Sequence, residues 1–252
     1  MKSKYIFLLV LVPILAIGVF YIYYGKASAP KNISGIKNTS GTTTGRESVL
    51  QAPTKTPHYL GNAPSHEAVL PGAPINIVID FDFDLGKGSS IKVVKDGVDF
   101  GRGESVIDPS GLSLRRKVDE NSPDGLYLVV YNACWPDGSC HEGNFQFNIE
   151  RGVLSSFINL KGKAEIVIPI ENYSFTPPKI IVSKGAKVSW QNRDRFSHTI
   201  NSDPHPGHTY FQSLNSRILS YNDVFSVVLD DPGVYLYHCS VHPNMSGIVF
   251  VE

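Results

Sequence analysis

Tyr237-His238-Cys239-Ser240-Val241-His242-Pro243-Asn244-Met245-Ser246-Gly247 places a thiol, an imidazole and a thioether within seven residues near the end of the chain. The preceding Val234-Tyr235-Leu236-Tyr237 is β-branched and aromatic, as strands are. Cys239 therefore ends a strand, and a short loop turns His242 and Met245 back toward it. A second imidazole, His198, lies about 40 residues upstream in Phe196-Ser197-His198-Thr199. Two imidazoles, one thiolate and a weak axial thioether are the ligand set of an electron-transfer copper site. The stretch thus predicts a packed β scaffold that holds His198, Cys239, His242 and Met245 around one copper ion. Taken alone, Cys239 reads as a buried thiol and Met245 as core filler. All four at ligand spacing argue for a metal. Zinc also takes thiolate and imidazole, but the soft thioether favours copper.

Working outward, strand-like runs recur at Ala164–Pro169, Lys179–Val182, Lys187–Trp190 and Val224–Leu229. Ser183-Lys184-Gly185 and Asp231-Pro232-Gly233 are turn signals between them. Farther upstream, Ile75–Phe83 alternates with period two toward its end, which puts Ile77, Ile79, Phe81 and Phe83 on one face. Ile91–Val94, Gly125–Tyr131 and Asn144–Ile149 are further strands. No segment of this region carries a long helical period. The reading is an all-β chain with an antiparallel sandwich over 65–150, a connector over 151–162 and a second β domain over 163–252.

The C-terminal stretches Phe175–Asn192, Ser197-His198-Thr199, Phe211-Gln212-Ser213-Leu214 and Asp231–Cys239 resemble the plastocyanin-like cupredoxins. Two residues separate Cys239 from His242 and two separate His242 from Met245, which is similar to the short-loop amicyanin branch. The resemblance implies a Greek-key β-barrel, a blue type 1 copper site at His198, Cys239, His242 and Met245, and single-electron exchange with redox partner proteins.

The region from Ala63 to Glu150 resembles a second family, the CopC-like copper-resistance domains. The resemblance rests on His66–Gly72, the strand through Phe83, Gly125–Tyr131, Pro136-Asp137-Gly138 and Gly143–Ile149. It implies an Ig-like β-sandwich and a second copper, Cu(II), held by His66, Asp137 and His141. The sequence departs from the family pattern by two residues inserted before His141, and a free amine at His66 would require the chain to be cut just before it.

There are three cysteines. With Cys239 reserved for the metal, Cys134 and Cys140 are left as a closely spaced disulfide candidate; the competing reading is a thiolate copper site with His141. Lys+Arg and Asp+Glu are both 23, so no basic balance points to nucleic acid. At the N-terminus, Tyr5 to Tyr24 is uncharged. About 20 residues at about 1.5 Å each span about 30 Å, the hydrocarbon thickness of a bilayer. Residues 1–25 are expected to form an N-terminal transmembrane helix and membrane anchor. Ala27-Ser28-Ala29 resembles a cleavage site, although Pro30 would follow the cut. Residues 26–64, rich in Ser, Thr, Gly, Lys and Pro, read as a flexible polar linker.

The functional expectation is a single-pass protein of the cell membrane with its domains on the extracytoplasmic side, carrying electrons through copper. The alternative is copper handling, with the N-terminal domain as a second site. An enzyme is not expected. A catalytic copper centre beside the first would need further histidines from a second domain of the same kind. His238 faces away from Cys239 on the strand, and His205 and His208, in a Pro/Gly loop, read as solvated.

Overall fold

A computed structural model describes residues 51–252; the expected membrane segment 1–25 and most of the 26–64 linker lie outside the described residues. Among the described residues, no helix is long and apolar enough to cross a membrane.

In the N-terminal domain, Gly125–Cys134 and Cys140–Ile149 form a long antiparallel hairpin. Tyr127, Val129, Tyr131 and Ala133 turn inward from one strand and Phe145, Phe147 and Ile149 from the other, all buried. The Tyr127 and Phe147 rings stack at 5.1 Å. Each such buried ring contributes on the order of 2–3 kcal/mol by removal from water. Cys134 and Cys140 close the hairpin with a disulfide, as their spacing suggested. Ala68–Leu70, Ser90–Lys95 and Val98–Asp99 complete this five-stranded sheet. The facing sheet has four strands in the order Tyr59–Ala63, Asn76–Phe81, Ser113–Val118 and Gly101–Ile107. Pairing is antiparallel except where Ala68–Leu70 runs parallel to Phe147–Ile149.

The expected linker ends earlier than residue 64. Thr54 bridges Asn144, and Tyr59–Ala63 adds an edge strand to Asn76–Phe81. Of that strand only Ala63 is buried. It joins through backbone hydrogen bonds, so its sequence carries no apolar alternation to read. The connector 151–162 is likewise shorter. Arg151–Ser156 is a 3-10 turn, and Ile158–Asn159 already pairs in parallel with Ile180–Ile181 of the second domain.

The C-terminal domain also has two sheets. One contains Ser174–Phe175, Glu165–Glu171, Ala186–Asn192 and Val224–Leu229; the other contains Ile158–Asn159, Lys179–Val182, His242–Val251, Gly233–Cys239 and Asn201–Ser202. Glu165–Ile170 pairs in parallel with Lys187–Asn192, and Lys179–Val182 with Ile248–Val251. Between the sheets Tyr237 meets Trp190 at 5.1 Å and Phe175 at 4.9 Å. This aromatic nucleus lies on the same strand face as Cys239, two residues away.

The strand Asn76–Phe81 is covered on both faces: all six of its residues are buried. Ile77, Ile79 and Phe81 face the sandwich core as predicted, but Phe83 lies past the strand and is 46% exposed against His58. The polar face is covered by the second domain. Asn76 Nδ2 donates to the Tyr210 carbonyl at 3.3 Å, and Thr209 Oγ1 donates to Asp80 Oδ1 at 2.7 Å. Tyr210 Oη donates to the Val234 carbonyl at 2.6 Å and accepts from the Ile75 amide at 3.1 Å. Gly233, at φ +133°, lets the backbones meet; a Cβ there would stand 3.0 Å from the Ala73 carbonyl.

Candidate metal centre

The strand Gly233–Cys239 ends at Cys239, Ser240 and Val241 make the turn, and His242 opens the next strand directly opposite Cys239. The two-residue spacing is therefore a hairpin, which explains why thiol and imidazole meet. His198 arrives on an isolated bridge to Leu219. Cys239 Sγ lies 3.8 Å from His198 Nδ1 and 3.6 Å from His242 Nδ1, and the two nitrogens are 3.1 Å apart. Met245, on the same strand as His242, is buried.

These distances fit a metal. A triangle with these sides has a circumradius of about 2.0 Å, close to usual bonds of about 2.0–2.1 Å to imidazole and about 2.3 Å to thiolate. The donor chemistry, N₂S with a buried thioether, selects copper. His198 and Cys239 are fully buried and His242 reaches the surface. Burial holds His198 below the usual histidine range despite Asp194 beside it. It is thus neutral near pH 7, as a ligand must be.

Three residues of this centre were not foreseen. Asp194 Oδ2 meets His198 Nε2 at 3.0 Å, which fixes the ring with Nδ1 toward the thiol. The same carboxylate accepts the amides of Asn172 at 2.8 Å and Tyr173 at 2.9 Å. Those two residues stand at φ +54° and +57°, a conformation costing about 1–2 kcal/mol per residue, and the carboxylate holds them there. Tyr173 consequently lies edge-on to His242 at 4.9 Å. Burial pushes the Asp194 carboxyl up, but the two amides and His198 outweigh it and keep it below the usual range. Thr199 is the third: its amide donates to Cys239 Sγ at 3.3 Å, and its hydroxyl accepts from the Ser240 amide at 2.9 Å. A carboxylate four positions before the upstream histidine was the available signal for Asp194. Asp194→Asn is expected to weaken copper binding about 10–100-fold, measured by chelator competition; an unchanged affinity would remove Asp194 from this role.

The residues suggested for a second copper do not converge. His66 Nδ1 accepts the Gln146 amide at 3.2 Å. His141 is five positions away on that strand, about 17 Å at the usual strand rise. Asp137 accepts the Ser139 amide and hydroxyl at 2.9 and 2.7 Å, capping its own turn. Among the described residues, no ligand-distance cluster contains these three. His208 also departs from expectation, whereas His205 is exposed as expected. His208 is half-buried, and both gather at His238.

Comparison with known proteins agrees with both halves. Residues 162–252 match the copper binding proteins of the plastocyanin/azurin family, and residues 60–150 match the CopC domain. Amicyanin-alpha of Methylorubrum extorquens is 31% identical over 85 residues, covering 34% of this chain and 70% of that protein. Amicyanin of Paracoccus denitrificans is 30% identical over 87 residues, covering 34% and 65%. Among solved structures, a purple cupredoxin from Nitrosopumilus maritimus is 35% identical and covers 36% of this chain and 100% of its own, with a TM-score of 0.31.

Proposed function

Since the chain belongs, through residues 162–252, to the plastocyanin/azurin family of copper-binding proteins, we propose that it carries single electrons through a type 1 copper held by His198, Cys239, His242 and Met245. The observation that carries this reading is the compact N₂S triangle on a buried hairpin. Copper supplies the one-electron couple when bound. The protein supplies ligands that need not move when the oxidation state changes: a two-residue turn fixes Cys239 against His242, and Asp194 fixes His198.

His242 is the exit. Its ring is bordered by exposed Tyr173, with Phe196 against Tyr173, and exposed Val241 precedes it in the turn. Such an apolar rim suits a small, transient redox encounter. A carrier of this kind needs no catalytic group of its own. The N-terminal apolar run would tether it to the cell membrane, with both domains outside the cytoplasm. The Cys134–Cys140 disulfide supports that side, because disulfides persist in oxidising compartments.

The test is the optical and paramagnetic resonance spectrum of the copper-loaded full chain, with metal counted. An intense blue or violet sulfur-to-copper band with reversible one-electron cycling is expected. A chain that stays colourless with Cu(II) would end the reading. The CopC match favours a second reading, copper handling by the N-terminal domain. It requires a second copper that disappears in His141→Ala.

A further inference from the structure

Cys239 faces the core, so its neighbour His238 faces the opposite side of the strand. There the loop after Asn201–Ser202 folds back and brings His205 and His208 to it. One ligand nitrogen of each ring lies within 4.8 Å of the other two. The ring centroids are 5.1 Å apart for His208 and His238, 5.3 Å for His205 and His208, and 5.7 Å for His205 and His238.

Two of the rings are oriented through their other nitrogen. His238 Nδ1 meets Asp203 Oδ1 at 2.7 Å, and His208 Nδ1 donates to the Ser202 carbonyl at 3.0 Å. A carboxylate or carbonyl on the far nitrogen is how proteins fix a metal-binding imidazole. It leaves the Nε2 atoms of both rings converging beside Ser240 Oγ, at 3.2 Å from His208 and 3.4 Å from His238. Ser240 has one proton to give, and Asn201 Oδ1 competes for it at 3.0 Å. At least one of the two Nε2 atoms is therefore left without that donor. The loop that carries them is held in place: Thr209 bonds Asp80, and the His208 amide donates to the Pro204 carbonyl at 2.7 Å. Burial keeps His208 below the usual histidine range, hence neutral.

We propose that His205, His208 and His238 bind a second metal ion, Cu(II), distinct from the site at Cys239. Imidazole donors suit copper, zinc and nickel, and Cu(II) stands highest of these in affinity for a given nitrogen site. Three ligands leave a position open. A cavity of about 410 Å³ lined by His205, His66, Tyr59 and Asn62 adjoins it, with room for water or a small anion. Because His238 and Cys239 are consecutive, one peptide bond joins the two metal sites, giving an electron a covalent route between them.

The experiment is titration of the metal-free full chain with Cu(II), followed by metal counting, the blue band and paramagnetic resonance. Two equivalents are expected, the second adding a resonance signal without adding to the blue band. The double variant His205→Ala/His208→Ala should lose one equivalent and keep the blue band, which also reports that it has folded. Cys239→Ser should lose the blue band and keep the second equivalent. Asp203→Asn should weaken the second site about 10–100-fold with the blue band unchanged. Saturation at one equivalent with the blue band present, or a second equivalent that survives the double variant, overturns the proposal. Loss of that equivalent in His141→Ala instead would assign it to the N-terminal domain. A colourless chain that still takes one copper at the three histidines would refute the type 1 reading and leave this one standing.

Discussion

Cys239→Ser is expected to abolish the blue absorption and the one-electron wave together. The band arises from sulfur-to-copper charge transfer, and a serine oxygen has no orbital at comparable energy and stays protonated at neutral pH. The substitution also removes the soft donor that selects copper from a pocket otherwise offering two imidazoles and a thioether. Stability reports the same loss independently. A ligand present at 1,000 times its Kd stabilises the folded state by about 4 kcal/mol. Wild type should gain about that much on copper loading at that ratio, and Cys239→Ser far less. The metal-free forms should differ little, since the volumes are nearly equal and Thr199 can donate to oxygen as it does to sulfur. A serine variant that remains coloured would overturn the ligand assignment.

The second large effect is expected at Tyr210, far from the thiol. Its ring is fully buried, and its hydroxyl joins the Ile75 amide of one domain to the Val234 carbonyl of the other. Burial pushes its hydroxyl well above the ordinary tyrosine range, so it stays protonated and can donate. Tyr210→Ala should cost about 3–5 kcal/mol for the lost ring, with about 1–3 kcal/mol more for the orphaned backbone partners. That is a large fraction of the 5–15 kcal/mol by which domains are usually stable. Tyr210→Phe keeps the ring and should cost only the second part. Urea unfolding of the metal-free chain measures both. Wild type should unfold in one transition, and Tyr210→Ala in two as the domains separate. An alanine variant with an unshifted midpoint would contradict this account of the seam.

How legible the site was depended on whether its residues belong to a regular pattern. Cys239, His242 and Met245 could be found because a two-residue hairpin keeps its ligands close in sequence. His198 could be found because its surroundings resemble a known family. Asp194 and Tyr173 could not, since they act from irregular loops, where no periodicity marks which side chain turns inward. The strand Asn76–Phe81 shows a different limit. Its alternation put Ile77, Ile79 and Phe81 on one face, as found, but said nothing of polar Asn76 and Asp80, which meet Tyr210 and Thr209. Alternation tells which face is polar and cannot tell whether a second domain covers it. The loop histidines were passed over for a similar reason: Pro204 and Gly207 announce a turn, and only the fold shows that the turn returns to His238.

That doubly covered strand has a consequence for the ancestry and engineering of the protein. Val78 lies on the covered side, between Asn76 and Asp80 in the strand, and is wholly buried. Cutting the chain near residue 157 would bare that side on one half and strand Tyr210 on the other. The two halves therefore share one buried seam. Recombination that exchanged one sandwich for a foreign homologue would have to carry Asn76, Asp80, Thr209, Tyr210 and Gly233 across together, or produce a chimera whose two parts reject each other.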